Sequence, residues 1–152
     1  MATKKEIERL FQKLGAEPRL ATFNDRIKFQ KIVYLLEHAF KIDLGISFTW
    51  YLHGPYSPDL TRIIFDKESG FSSKLNNDPD EINKIENAKS FLKDEIESRE
   101  KLELLASLHF FLKVTKDENK TVEELLSLFA EVKPKFNKVE IRKYYNKIKP
   151  YL

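Results

Sequence analysis

His53, Ser57 and Asp59 fall within seven residues of one another, and they are the residue types that activate a serine nucleophile. Triads are assembled in space from separate elements, so closeness along the chain says little for one. Ser57 followed by Pro58 reads instead as the N-cap and first residue of a helix, with Asp59 as a favourable charge in its first turn. His38, His53 and His109 could in principle join a carboxylate around a metal, but no two form a ligand pair such as H-x-x-x-H, and His109 sits in an apolar run. The four glycines, at 15, 45, 54 and 70, are too scattered for a phosphate-binding loop. Arg26 and His38 are twelve residues apart, too far to meet on one turn as the Arg-to-His spacing of helical ribonucleases requires. The expectation is a protein that is not an enzyme, with no catalytic residues, no metal and no cofactor.

The elements that would position any site are mostly helices. With 152 residues and 41% hydrophobic content, the chain suits one domain, residues 1–152, with a core rich in its twelve phenylalanines. It has no cysteine, so no disulfide, thiolate or cysteine-zinc site can form. Its longest apolar runs fall well short of the roughly 20 residues of a membrane span. The N-terminus passes straight from Met1 into a charged amphipathic pattern without the apolar stretch of a signal peptide, so the expected location is the cytoplasm, with no membrane partner.

Apolar spacing predicts a first helix over Lys4–Leu14, stopped by Gly15, and a second opening at Asn24 as N-cap. The second carries Phe29, Ile32, Val33, Leu36 and Phe40 on one stripe, widened by Ile27, Tyr34 and Leu35, which makes it central. From Ile46 to Leu52 the period changes to two, which predicts a strand, with Phe71 to Leu75 as its partner. A short helix should follow Ser57 to about Glu68 and stop at Gly70, and a long acidic one should run from Asp78 to about Ser98. A heavily apolar helix over Lys101–Val114, a helix over Val122–Val132 capped by Thr121 and Glu124, and a basic helix over Lys138–Lys149 capped by Asn137 complete the reading. The expected fold is mainly α (α+β): a compact bundle of about seven helices with one small antiparallel β element.

Two stretches carry a resemblance. Arg26-Ile27-Lys28-Phe29-Gln30-Lys31-Ile32-Val33-Tyr34 and Trp50-Tyr51-Leu52-His53-Gly54-Pro55-Tyr56-Ser57-Pro58-Asp59-Leu60 resemble the K-x-Q-K helix and the W-x-x-x-G-P-x-x-P-x-L turn of YwgA-like proteins and of Panacea (SocA-like) antitoxin domains. The match covers about residues 24 to 64 and departs from the usual antitoxin wording at Tyr56, where many members have a small aliphatic residue. The resemblance implies a non-enzymatic module that binds a protein partner, in many members a toxin encoded beside it. Its contact residues would come from Lys28, Gln30, Lys31, Tyr34, Trp50, His53, Gly54, Pro55, Tyr56 and Asp59.

The same residues also have a purely physical reading. Gly54 permits a positive φ and Pro55 fixes the next φ, so together they turn a strand into a helix. Lys28 and Lys31 share one face of the second helix, with Gln30 off to another side, which predicts a polar strip surviving on an otherwise buried element.

Charge is spread unevenly. Between Asp78 and Glu100 eight acidic residues face four basic ones, and between Glu131 and Lys149 seven basic residues face two acidic ones, which predicts an electrically two-sided molecule. The basic C-terminal helix supplies an alternative function, a nucleic-acid-binding transcriptional regulator working through Lys138, Arg142, Lys143, Lys147 and Lys149. The plainer reading of that helix is a solvated lid on the core.

Overall fold

The computed structural model describes residues 1–65 and 78–152. Within them lie seven α-helices and one small antiparallel sheet, in the order α1 (Lys4–Leu14), α2 (Phe23–His38), β1 (Thr49–Tyr51), β2 (Gly54–Tyr56), α3 (Pro58–Phe65), α4 (Pro79–Leu92), α5 (Arg99–Thr115), α6 (Val122–Val132) and α7 (Lys138–Ile148). A single 3-10 turn, Lys149–Tyr151, follows α7.

Local chemistry accounts for most helix ends. Thr3 and Glu6 form a reciprocal capping box at α1, and Gly15 closes that helix in the left-handed region at φ 75°. Thr121 with Glu124 and Asn137 cap α6 and α7 as their sequences predict. At α2 the N-cap is Thr22, not Asn24: Thr22 Oγ1 accepts from the Asp25 amide at 3.0 Å while Asp25 returns the bond to the Thr22 amide at 3.2 Å. The reciprocal pair satisfies two end-of-helix donors, where a cap at Asn24 would satisfy one. The acidic helix α4 ends at Leu92, short of Ser98, because the chain turns there and Ser98 starts over as the N-cap of α5.

α2 and α5 form the centre. α5 packs on α2, α6, α7 and β2, and α1 packs on α4. Leu35 and Leu36 on α2 and Leu102, Leu105 and Leu108 on α5, the two elements in most extensive contact, are fully buried. Fully burying a leucine contributes roughly 1.5–3 kcal/mol, so this seam is the main apolar stabilisation of the fold. One cluster of buried hydrophobic residues extends from Ala2 to Ile148. No helix among the described residues is long and apolar enough to cross a membrane.

The strand is shorter than its alternation suggests, and its partner is the next segment of chain. β1 pairs antiparallel with β2, Trp50 opposite Pro55 and Tyr51 opposite Gly54. The expected partner, Phe71 to Leu75, and the expected stop of α3 at Glu68 to Gly70 lie outside the described residues. The first half of the extended run needs no strand beside it: the Glu37 carboxylate accepts from the Leu44 amide at 3.0 Å and from the Ile46 amide at 3.2 Å. Leu52 and His53 make the turn without positive φ, and Gly54 follows at φ 96°. That pattern matches a type I turn closed by a left-handed residue, which restores the twist a type I turn by itself would spoil.

The two oppositely charged segments meet each other. Lys147 on α7 lies 2.6 Å from Glu95 beyond α4, and Lys135 lies 3.4 Å from Glu100. Arg142 pairs with Glu123 of α6. Among the described residues the acidic and basic segments are thus joined by ion pairs at two places.

Candidate functional site

The strand-to-helix turn is held from beneath by α2. The Gln30 amide clasps Ser57, its Nε2 donating to the Ser57 carbonyl and its Oε1 accepting from the Ser57 amide, both at 2.9 Å. Lys31 Nζ donates to the Pro55 carbonyl at 2.8 Å. These two side chains take up backbone groups that a two-stranded sheet leaves without a neighbouring strand, and a buried backbone group needs such a partner. The expectation of a polar strip on the surface is thus corrected: Gln30 is 5% and Lys31 2% exposed. Only Lys28 stays half-buried at the surface, 3.8 Å from both Asp25 and Glu97.

Tyr34, one turn further along α2, is buried too. Its hydroxyl lies 2.7 Å from His109 Nδ1, and His109 Nε2 lies 3.0 Å from the Tyr151 carbonyl. A carbonyl only accepts, so Nε2 carries the proton and Tyr34 donates to Nδ1. Burial raises the Tyr34 hydroxyl far above its usual value, which keeps it a donor, and lowers His109 to about 4. His109 takes up its proton near pH 6.5 when unfolded but only near 4 when folded. The unfolded state is thus favoured as the solution is acidified across that window, and the site's contribution is complete above pH 6.5. We expect it to cost about 3 kcal/mol between pH 6.5 and 4. Urea unfolding of wild type and His109→Gln across this range checks it: the wild type should lose that much more stability than the variant, and parallel curves would refute the assignment.

Beneath the hairpin tip lies an ionic cluster centred on Glu103, which is fully buried on α5. Lys135 Nζ stands 2.6 Å from its carboxylate, Lys133 Nζ 3.6 Å, His53 Nδ1 3.6 Å and Arg99 Nη2 3.8 Å. Arg99 Nη2 also donates to His53 Nδ1 at 3.3 Å. A guanidinium has no acceptor, so Nδ1 presents its lone pair and His53 is neutral here. Burial first, then the repulsion of Arg99, Lys135 and Lys133, lowers the His53 pKa against the pull of Glu103. Lys133 Nζ reaches on to the Leu52 carbonyl at 2.9 Å, tying the hairpin tip to the loop after α6. Its ammonium also lies 5.3 Å from the centre of the Trp50 ring.

On the other side of the hairpin, α2, β1, β2 and α3 enclose a cleft of about 420 Å³. Ile27, Ile64 and Tyr56 belong to its walls, and Phe23, Tyr51 and Phe65 border it while remaining 54%, 59% and 57% exposed. The Tyr56 hydroxyl is held 3.0 Å from Thr61 Oγ1.

The structure therefore brings Gln30, Lys31, His53, Gly54 and Tyr56 of the expected contact residues to this cleft. Pro55 is buried within β2, Trp50 stands on the hairpin against Phe110, and Tyr34 is buried in the core. Asp59 pairs with Arg62 on α3, and the Ser57 hydroxyl accepts from the Leu60 amide as the predicted N-cap. His53, Ser57 and Asp59 are thus engaged separately. Sequence reasoning missed Phe23, Tyr51 and Phe65 at the cleft mouth, and Glu103 with its cations. The signals were present: Phe23 and Ile27 share a row with Lys31, and Glu103 interrupts an apolar run between Leu102 and Leu104. No group of three or more metal-ligating side chains occurs among the described residues.

Of the basic residues on α7 and the turn after it, Lys138, Lys143 and Lys149 are exposed, whereas Arg142 and Lys147 are half-buried in ion pairs with Glu123 and Glu95. Comparison with protein-family models, with curated proteins and with solved structures returns no match to this chain.

Proposed function

We propose that the protein is a non-enzymatic protein-interaction module, of the kind its antitoxin-like motifs imply, and that it docks its partner on the face formed by the hairpin and the cleft. The observation that carries this reading is the convergence of three largely exposed aromatic side chains, Phe23, Tyr51 and Phe65, on the mouth of one apolar cleft. Clustered exposed apolar surface is costly to keep unless something covers it, and aromatic residues beside a pocket are the usual anchors of protein interfaces. Among the described residues no acidic side chain lines the cleft, and Arg26 and Lys31 do, so the fitting partner presents an apolar anchor in an electronegative setting. The basic C-terminal segment supports the nucleic-acid alternative less well, since two of the five cationic side chains proposed there, Arg142 and Lys147, are spent on internal ion pairs.

The test compares tagged wild-type protein with a Phe23→Ser/Tyr51→Ser variant, purified from the native cell with and without nuclease and at two salt concentrations. A stoichiometric protein that resists both treatments, binds the purified wild type directly and is weakened at least about thirtyfold by the variant is the expected result. Both substituted residues are exposed, so the melting temperature should scarcely move. Nuclease-sensitive, salt-labile nucleic acid as the sole stoichiometric component would transfer the function to α7.

A further inference from the structure

We infer that the cleft is built to take a carboxylate carried on an apolar body. This rests on the reading of the cleft as the docking face and adds what its occupant must present. Phe23, Ile27 and Lys31 follow one another at i, i+4 and i+8 on α2, so they form one row along the cleft. The Lys31 stem passes Gly54, its Cε 3.7 Å from where a Cβ there would stand, and its ammonium reaches the Pro55 carbonyl. The row is apolar at the mouth and ends in a buried cation.

Among the described residues that cation has no counter-ion at ion-pair distance. Lys31 is 2% exposed, its ammonium donates to the Pro55 carbonyl and to no other described group, and no described carboxylate stands within 4.0 Å of it. An ammonium carries three protons, and a buried charge without a partner is expensive. The groups acting on it from the surrounding elements are Glu103 and Arg99 on α5 and Lys133 and Lys135 after α6, so one carboxylate stands against three further cations. Burial and those cations outweigh Glu103 and draw Lys31 down to about 7. His53, on the hairpin, is already occupied by Arg99.

The described residues that line the cleft include no Asp or Glu. A single ammonium suits a monoanion better than a phosphate, which calls for several converging donors. A carboxylate joined to an aromatic or aliphatic group satisfies both ends of the row. It can come from a free small acid or from an apolar residue at the C-terminus of the partner protein.

The experiment titrates isotope-labelled protein with 4-phenylbutyrate, its neutral amide, and a tetrapeptide ending in Phe with a free or an amidated terminus. Binding is read from amide shifts at Gln30 and Gly54 and from calorimetry. Each acid should bind at least about tenfold more tightly than its amide, and Lys31→Met should abolish the difference. Wild-type affinity should also fall about tenfold per pH unit above 7, because binding the anion requires the protonated ammonium. That second readout decides the matter should Lys31→Met fail to fold. Tighter binding of the peptide acid assigns the carboxylate to a partner's terminus, and tighter binding of phenylbutyrate assigns it to a free acid. Acid and amide binding alike, or no binding by any probe, would overturn the inference. If the protein partner is still lost on Phe23→Ser/Tyr51→Ser substitution in that case, the docking reading stands without it.

Discussion

Gly54→Val lowers the melting temperature by roughly 10 °C, the largest expected effect of a single substitution at the turn. Two costs combine. Gly54 has φ 96°, where a side chain is strained by about 1–2 kcal/mol. A Cβ added there would also lie 2.1 Å from Ser107 Oγ and 3.3 Å from Ser107 Cβ on α5, and such overpacking costs about 1–3 kcal/mol. For a domain of this size, about 3 kcal/mol corresponds to roughly 10 °C. The two costs separate in a smaller series read by circular dichroism. Gly54→Ala should destabilise by both, and Gly54→Ala/Ser107→Ala should recover the part due to the hydroxyl while retaining the backbone part. A melting temperature unchanged in Gly54→Val would remove the account of the turn altogether.

Glu103→Gln is the second large loss, about 3 kcal/mol in urea unfolding. The substitution keeps the shape and removes the charge that Lys135, Lys133 and Arg99 surround. Breaking a buried ion pair from one side costs about 3–5 kcal/mol because the remaining charge is uncompensated. The lower end applies, since Lys135 and Arg99 are partly solvated and can turn outward, whereas the Lys133 side chain is only 9% exposed. A Glu103→Gln/Lys133→Met pair should therefore be more stable than the sum of the two single changes. Glu103→Gln within about 0.5 kcal/mol of wild type would mean that the cluster is solvated well enough to contribute little.

Both substitutions act on the same construction. Gly54 is pressed between Ser107 and the Lys31 stem, whose Cε lies 3.7 Å from the position a Cβ would take. Glu103 gathers the cations beneath the hairpin tip, and Lys133 carries that cluster to the Leu52 carbonyl. These contacts anchor the hairpin that walls the cleft.

How much of this was legible in the sequence differs by kind of feature. Gly15 as a stop, Thr121 with Glu124 as a capping box, Ser57 as an N-cap and Gly54 as the site of a positive φ could all be read in advance, because each depends on a few neighbouring residues. Where local signals competed, the reading slipped. Asn24 is a good cap by type, but Thr22 with Asp25 makes two bonds. The alternation from Ile46 to Leu52 does not reveal that a carboxylate, Glu37, serves half of that run.

The sequence by itself determined a mainly helical chain with a central second helix and a strand-to-helix turn at Gly54-Pro55, since helix spacing, caps and turn chemistry operate over a few residues. The tertiary structure alone decided that Gln30 and Lys31 point inward to Ser57 and Pro55, 27 and 24 residues away, that the acidic and basic segments meet in ion pairs, and that Phe23, Tyr51 and Phe65 meet at one cleft. A lysine on an amphipathic helix carries the same local signal whether it faces water or a carbonyl. What lies opposite it is settled only when distant elements pack, and here that packing leaves a buried ammonium at the end of an apolar row.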